Sequence, residues 1–278
     1  MRLGGCLSGV FKNVDEWLRA VKKIGYSAVV FPLAPGAERA EIKEYVDAMR
    51  ENDIINAEVG AWSNPLSPDV SEREAAMRKN IAALELAEET GARCCVNIAG
   101  SFSDAWDGPH KNNLTPETFG LIVKNTQTII DAVNPLKTKY SLETMPWVFP
   151  DSPESYARLV EAIDRKAFGV HLDICNTINS PERYFDIPGY IDRSFDLLGD
   201  MTISIHLKDI KLSGKMTVHI DEVLPGEGDM DFARIFARAA RLDNNVTLII
   251  EHLSSNEDYA KAYKHLREVL IAAGLEAR

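Results

Sequence analysis

Short apolar runs alternate with helical patterns along this 278-residue chain, and this alternation restricts its possible folds more than any other feature. Eight runs rich in apolar and β-branched residues are each followed by a segment of helical periodicity. Strands separated by helices pair in parallel, because the helix returns the chain to the edge where the next strand starts. The predicted strands are residues 2–7, 27–33, 54–61, 93–99, 139–144, 168–173, 202–207 and 246–251.

Capping residues predict where several helices begin and end. Asn13 precedes the helical pattern of residues 14–24 and Gly25 follows it, as is typical of the two ends of a helix. Thr115 and Pro116 indicate the start of a helix that runs to about Val133. The other predicted helices cover residues 39–52, 71–90, 152–166, 187–198, 230–242 and 256–273, and a long loop is predicted at 208–228.

Eight strand–helix units are the number that closes a (β/α)₈ barrel, a fold that typically needs about 250 residues. We therefore predict an α/β fold, a single (β/α)₈ TIM barrel domain covering residues 1–278. The alternative is a doubly wound open sheet, which usually has a glycine-rich turn after its first strand. Residues 4–9, GGCLSG, match the G-x-G-x-x-G pattern poorly, so the barrel is preferred.

Charge and composition restrict the partners. The formal net charge is -11, whereas nucleic acids and anionic membranes both require a basic surface, so neither is predicted as a partner. No apolar run approaches the ~20 residues that span a bilayer, and the N-terminus lacks a signal-peptide pattern. The four cysteines include no C-x-x-C pair, which indicates reduced thiols in a cytoplasmic protein. The expected partner is a small polar molecule, and homo-oligomer formation is left open.

Four predicted strands end on side chains that bind divalent cations: Glu143, Asp173, His206 and Glu251. In a barrel, the C-terminal ends of consecutive strands meet at one side of the mouth. Three carboxylates in that space repel one another unless a cation lies among them. We therefore predict one divalent metal ion bound by these four residues. Manganese is the first choice for this oxygen and nitrogen set, with cobalt, magnesium and zinc as alternatives.

The same residues carry a family resemblance. The segments concerned are SLE at 141–143, HLD at 171–173, HLKD at 206–209, PGEGDMDF at 225–232 and IE at 250–251. They resemble the xylose isomerase-like TIM barrels, and more narrowly the sugar isomerase/epimerase branch that includes D-tagatose 3-epimerase and inosose dehydratase. The resemblance covers nearly the whole chain. It implies that the four residues bind one metal and that Glu143 and Glu251 also form the catalytic acid–base pair.

Elementary chemistry agrees with that implication. A metal that chelates a carbonyl and a neighbouring hydroxyl acidifies the adjacent C–H bond and stabilises an enediolate. Two carboxylates can then remove a proton and return one. The predicted activity is a sugar isomerase or epimerase acting on a keto-sugar or cyclitol. The alternative is a lyase or dehydratase that eliminates a β-substituent from a keto-sugar, an inosose or a 3-keto-glycoside. A non-catalytic sugar-binding barrel is disfavoured by the complete ligand set.

Two departures from the family pattern concern the substrate. A histidine commonly stands three residues after the strand-six aspartate in the ketose epimerases and inosose dehydratases, and this chain has Asn176 there. The epimerases carry an arginine shortly after the strand-seven histidine, where this chain has IKL at 210–212. These departures disfavour epimerisation of a free ketose at C3.

Lys208 and five further residues are predicted to bind the substrate. Lys208 has the strand parity of His206 and should point into the mouth, to hold a substrate oxygen or to act as an acid. The alternative is a strand-end lysine that pairs with Asp209. Asp209 is also expected to orient the metal ligand His206. The remaining candidates follow strands on the same face, and their indole, imidazole and amide groups suit a sugar: Trp62, Trp106, His110, Trp147 and Asn176. For Trp106 and His110 the alternative is packing within their own loop.

The other histidines are expected to lie outside the site. His171 should be buried in the core below Asp173, and His252 has the opposite parity to Glu251 and should face the helices. His219 is expected to be a solvated loop residue.

Overall fold

Eight parallel strands curve into a nearly closed barrel in the computed structural model, which describes residues 1–242 and 245–276. Two further strands, β8 and β9, form a separate hairpin. In chain order the described strands are β1 (Arg2–Gly5), β2 (Ala28–Val30), β3 (Ile55–Gly60), β4 (Cys94–Asn97), β5 (Lys139–Leu142), β6 (Val170–Asp173), β7 (Thr202–Leu207), β8 (Asp209–Ser213), β9 (His219–Val223) and β10 (Thr247–Ile250). The predicted TIM barrel is confirmed.

Helices follow the barrel strands. They are α1 (Val14–Ile24), α2 (Arg39–Glu51), α3 (Val70–Thr90), α4 (Pro116–Val133), α5 (Pro153–Ile163), α6 (Ile174–Thr177), α7 (Pro181–Phe185), α8 (Ile187–Leu198), α9 (Phe232–Ala239) and α10 (Asn256–Ala272). The predicted caps are confirmed: the side chain of Asn13 accepts the Glu16 N–H, and Gly25 ends α1 with a φ of 103°. None of the described helices has both the length and the apolar character required to cross a membrane.

The barrel closes at a weaker seam between β5 and β6. The hydrogen-bonded order is β5-β4-β3-β2-β1-β10-β7-β6, so these two strands lie at the ends of the sheet. Isolated bridges pair Tyr140 with Phe168 and Glu143 with His171 across the seam. The seam therefore lies beside two of the residues predicted to bind metal.

Two hydroxyl groups hold this seam together. Tyr156 Oη donates to the backbone oxygen of Leu142 at 2.5 Å and accepts the His171 N–H at 3.0 Å. Thr144 Oγ1 donates to the backbone oxygen of Asp173 at 2.6 Å and accepts the Asp173 N–H at 3.0 Å. These bonds fix the strand ends from which Glu143 and Asp173 project.

Residues 208–228 differ from the predicted loop. Strands β8 and β9 pair in antiparallel register within this segment, from Asp209 opposite Val223 to Ser213 opposite His219. The prediction of a continuous loop is therefore wrong, and the expected count of eight strands omits this hairpin. The two short helices α6 and α7 were likewise not resolved by the sequence pattern.

Gly4 provides a test of the barrel packing. A Cβ atom on Gly4 would lie 1.7 Å from the backbone oxygen of Ala28 in the neighbouring strand β2. Gly4→Ala should therefore lower the free energy of unfolding by about 2 kcal/mol or more, as measured by denaturant titration. Gly120→Ala is the matched control, because a Cβ there meets nothing within 4 Å and the residue is exposed in α4. The control should gain about 0.5–1 kcal/mol. Equal effects at the two positions would contradict the packing described.

Candidate metal centre and active site

The four residues predicted to bind metal converge at the C-terminal mouth of the barrel. Glu143 directly follows β5, Asp173 ends β6, His206 lies near the end of β7 and Glu251 directly follows β10. One ligand atom from each side chain lies within 4.8 Å of the other three, and all four residues are buried. We call this group the ligand cluster.

His206 lies among the three carboxylates. Its Nδ1 atom is 2.7 Å from Glu251 Oε1, 3.3 Å from Glu143 Oε1 and 3.9 Å from Asp173 Oδ2. One imidazole nitrogen therefore faces an oxygen atom from each of three different strands.

Lys208 places its ammonium group in the same cluster. Its Nζ atom is 2.6 Å from Glu251 Oε1, 2.7 Å from Asp173 Oδ2 and 3.4 Å from Glu143 Oε1. The side chain is 1% exposed. Lys208 thus points into the mouth as its parity predicts, and the alternative in which it pairs with Asp209 is wrong.

Asp209 anchors the loop that follows the hairpin. Its carboxylate accepts the backbone N–H groups of Gly226 at 2.8 Å, Gly228 at 3.0 Å and Met230 at 3.0 Å. A Cβ atom on Gly228 would lie 2.2 Å from Asp209 Oδ1, so this position requires glycine. The prediction that Asp209 orients His206 is therefore wrong, and the PGEGDMDF segment has a structural role around Asp209.

The chemistry of the ligand cluster fits a divalent cation. Asp173 Oδ2 and Glu251 Oε1 are buried and accept no hydrogen bond of normal geometry from the described residues, although Lys208 and His206 lie at ion-pair distances. Three carboxylates and one ammonium leave two negative charges, which a divalent cation would neutralise. Carboxylate oxygens and one imidazole nitrogen suit magnesium, manganese, cobalt or zinc.

Burial and neighbouring charges act in opposite directions on these groups. Burial raises the pKa of Asp173 to about 6, against the opposing effect of the Lys208 ammonium. Burial also raises the pKa of Glu251, but the charges of His206 and Lys208 outweigh this effect and hold the pKa of Glu251 below its usual range. Burial disfavours the charged form of Lys208, yet the surrounding carboxylates hold its pKa well above the usual value. Glu251 is therefore ionised at neutral pH.

Glu58 is a residue of this site that the sequence analysis missed. It lies on β3, is 1% exposed, and its Oε2 atom accepts the Nε2–H of His206 at 3.1 Å. A carboxylate can only accept, so Glu58 favours the proton on Nε2 and leaves Nδ1 of His206 to face the ligand cluster. The signal available in the sequence was Glu58 itself, a lone charged residue in the middle of the predicted strand 54–61.

Glu58 also fixes the layer below the ligand cluster. Its Oε1 atom is 2.8 Å from His171 Nε2 and 2.5 Å from Ser204 Oγ. The rings of His171 and His206 meet edge to face, with centroids 4.0 Å apart. His171 is buried in the core as predicted, and it supports the residue that orients His206.

A cavity of about 560 Å³ opens above the ligand cluster. Glu143, His206 and Glu251 line it together with three of the predicted aromatic residues, which are Trp62, Trp106 and Trp147. We call it the mouth cavity. Its size is within the range of ~300–1,000 Å³ that is usual for small-molecule sites.

Asn176 connects the ligand cluster with this cavity. It lines the mouth cavity, and its Nδ2 atom donates to Glu143 Oε1 at 3.0 Å. Its Oδ1 atom accepts from Lys208 Nζ at 3.3 Å, and its backbone N–H donates to Asp173 Oδ1 at 2.9 Å. Asn176 therefore contacts three members of the site, and its side-chain amide cannot exchange a proton near neutral pH.

Two histidines differ from their predicted positions. His110 is not among the described residues that line the mouth cavity. Its ring packs against Phe102 with centroids 6.0 Å apart, and its Nδ1 atom accepts the Asn112 N–H. His110 thus takes the alternative of packing within its loop. His252 lines the mouth cavity and lies 3.2 Å from Glu222, so the prediction that it faces the helices is wrong. His219 is exposed as expected, but it begins strand β9.

Residues 18–270 match the model of a family described as xylose isomerase-like TIM barrel. No curated protein sequence matches the chain significantly.

Solved structures share the fold at low sequence identity. A D-psicose 3-epimerase from Clostridium cellulolyticum H10, solved with D-tagatose, superposes with a TM-score of 0.71 and 16% identity, covering 97% of this chain and 99% of that one. The probable 3-DHS dehydratase AsbF from Bacillus anthracis gives 0.72 and 14%, covering 98% and 99%. A xylose isomerase-like barrel protein from Mycobacterium smegmatis in complex with magnesium gives 0.70 and 15%, covering 94% and 90%.

Metal analysis tests the ligand cluster. The purified protein reconstituted with Mn²⁺ should hold about one ion per chain, as expected of a single four-ligand site. Glu251→Gln and His206→Ala should each lower this occupancy strongly, because each removes one of four donors. The exposed Glu227→Gln is the matched control and should keep wild-type occupancy. Unchanged occupancy in both cluster variants would place any bound metal elsewhere.

Glu58→Gln tests the orienting role of Glu58. The amide keeps the shape of the side chain but loses the charge that holds His206, so affinity for Mn²⁺ should fall by about 10- to 100-fold. Competition with a chelating dye measures the dissociation constant. The same constant in wild type and Glu58→Gln would show that His206 is held by packing alone.

Proposed function

The chain belongs to the xylose isomerase-like TIM barrel family, and from that premise we propose that it is a metal-dependent enzyme that isomerises or epimerises a keto-sugar or cyclitol derivative. The pair Glu143 and Glu251 carries the proposal. Both carboxylates are buried, both belong to the ligand cluster, and both line the mouth cavity. Their strands are separated in the barrel by β6 and β7, so the two groups approach the cavity from different sides.

Each residue of the site has a defined part in this reaction. A divalent cation held by the ligand cluster would supply Lewis-acid polarisation of a bound carbonyl. Glu251, ionised at neutral pH, accepts the proton from the carbon beside that carbonyl, which gives an enediolate. Glu143 takes up a proton from solvent and returns it to the enediolate from the other side, and Glu251 then releases its proton to solvent. Asn176 holds Glu143 through its Nδ2 bond, and Glu58 keeps the ring of His206 in place.

The cavity walls favour an uncharged sugar as the substrate. Among the described residues that line the mouth cavity there is no lysine or arginine, whereas four are acidic: Glu58, Asp107, Glu143 and Glu251. A phosphate ester would meet repulsion there, because phosphate binding depends on cationic side chains or free backbone N–H groups. Tryptophan rings offer flat surfaces for the apolar faces of a sugar ring.

A lyase or dehydratase is the second candidate, and Lys208 is the observation that favours it. Elimination of a β-substituent needs one base and one acid that protonates the departing oxygen. The Lys208 ammonium lies 2.6 Å from Glu251 Oε1, so the two groups can form that acid–base pair. Asn176, which cannot carry a proton, leaves Lys208 as the cationic donor beside Glu143.

Solvent exchange separates these candidates from a binding protein. With Mn²⁺ in deuterated water, an isomerase or epimerase should introduce deuterium beside the carbonyl of a keto-sugar or inosose, and a lyase should form a product lighter by the mass of water or of a leaving group. Glu143→Gln and Glu251→Gln should reduce the rate by about 10²–10⁴-fold, because each removes a proton carrier. Mass spectrometry measures both outcomes.

Glu227→Gln is the control for this assay and should retain the wild-type rate, since the side chain is exposed outside the ligand cluster. The proposed function is wrong if metal-loaded wild type neither exchanges deuterium nor eliminates a group from ketoses, inososes and 3-keto-glycosides.

A further inference from the structure

A second cavity, of about 680 Å³, adjoins the mouth cavity. The two share Pro146, Trp147 and Asn176 as wall residues. The hairpin of β8 and β9 contributes much of the remaining wall. We call this space the hairpin pocket and define it by Trp147, Asn176, Ile178, Ile210, Val218 and Ile220.

Part of the hairpin pocket wall is aliphatic and held in place, while Asn176, Asn179, Lys208 and Glu222 are its polar wall residues. Ile178 and Ile210 are buried, and Ile220 packs against the main core. Trp147 is 38% exposed, although its indole Nε1–H donates to the backbone oxygen of Asp107 at 2.6 Å. Val218 is 53% exposed. An exposed apolar surface that is fixed beside an active site is typical of a surface that binds ligand.

Two polar residues connect this pocket with the ligand cluster. Lys208 lines the hairpin pocket, while its Nζ atom lies 2.7 Å from Asp173 Oδ2. Asn176 lines both cavities and donates to Glu143. A ligand whose carbonyl end lies at the ligand cluster therefore passes Asn176 when it extends into the hairpin pocket.

We propose that the hairpin pocket binds an aromatic group attached to the sugar, so that the substrate is a keto-glycoside with an aromatic aglycone. This proposal rests on the proposed function, which places the sugar in the mouth cavity. The mouth cavity alone has room for a monosaccharide, and a free sugar would leave the aliphatic part of the hairpin pocket wall in water. Trp147 stands at the boundary between the cavities and offers a stacking surface to an aromatic ring.

The test compares two probes that differ only in the aglycone, methyl and phenyl 3-keto-β-D-glucopyranoside, titrated calorimetrically into the Mn²⁺-loaded protein. Wild type should bind the phenyl glycoside about 10- to 100-fold more tightly, as burial of an aromatic ring implies. Ile220→Asp and Val218→Asp should abolish this preference while leaving the affinity for the methyl glycoside unchanged. Val218 is half exposed, so its variant folds even if Ile220→Asp does not.

Ile271→Asp is the matched control, because Ile271 is 67% exposed on α10, and it should keep the wild-type preference. Of the two cavities, Trp106 lines only the mouth cavity, so Trp106→Ala should lower the affinity for both probes equally. Equal affinity of the two probes for wild type, or a phenyl preference that survives both hairpin variants, would overturn the proposal. Deuterium exchange with the same probes reports separately on the proposed function, because calorimetry detects the subsite whether or not turnover occurs.

Discussion

The burial of three carboxylates at one point of the barrel mouth is the constraint on which the rest of the site depends. Glu143, Asp173 and Glu251 lie close together in a region that excludes water, and like charges there are costly unless positive charge lies among them. Lys208 provides one positive charge from within the chain. The two negative charges that remain account for the fit to a divalent cation.

The barrel supplies the positions that this arrangement needs. Tyr156 and Thr144 tie β5 to β6 where the hydrogen-bonded sheet is interrupted, immediately beside Glu143 and Asp173. Glu58 holds His206 from below through a bond between residues 148 positions apart in the chain. A site fixed at its strands and at its second layer of contacts is preorganised, so less reorganisation is required when a metal and a substrate bind.

The barrel and the ligand cluster could be predicted from sequence because both follow from local patterns. Strand periodicity places Glu143, Asp173, His206 and Glu251 at successive strand ends, and capping residues such as Asn13 indicate helix boundaries. Glu58 was missed because its role depends on contacts across the barrel that no local pattern contains. His252 was misplaced because strand parity does not continue through its φ of 59°, where the chain leaves β10. The hairpin was missed because each of its strands has only five residues, two of them charged, so the segment resembles a loop.

Anomalous diffraction from crystals grown with Mn²⁺ tests the central claim most directly. The predicted result is one strong peak about 2.1 Å from His206 Nδ1 and from one oxygen of each of Glu143, Asp173 and Glu251. Lys208 Nζ should then lie farther from Asp173 Oδ2 and Glu251 Oε1 than the present 2.7 and 2.6 Å. A saturated crystal with no peak in the ligand cluster, and with the Lys208 ion pairs unchanged, would contradict the account.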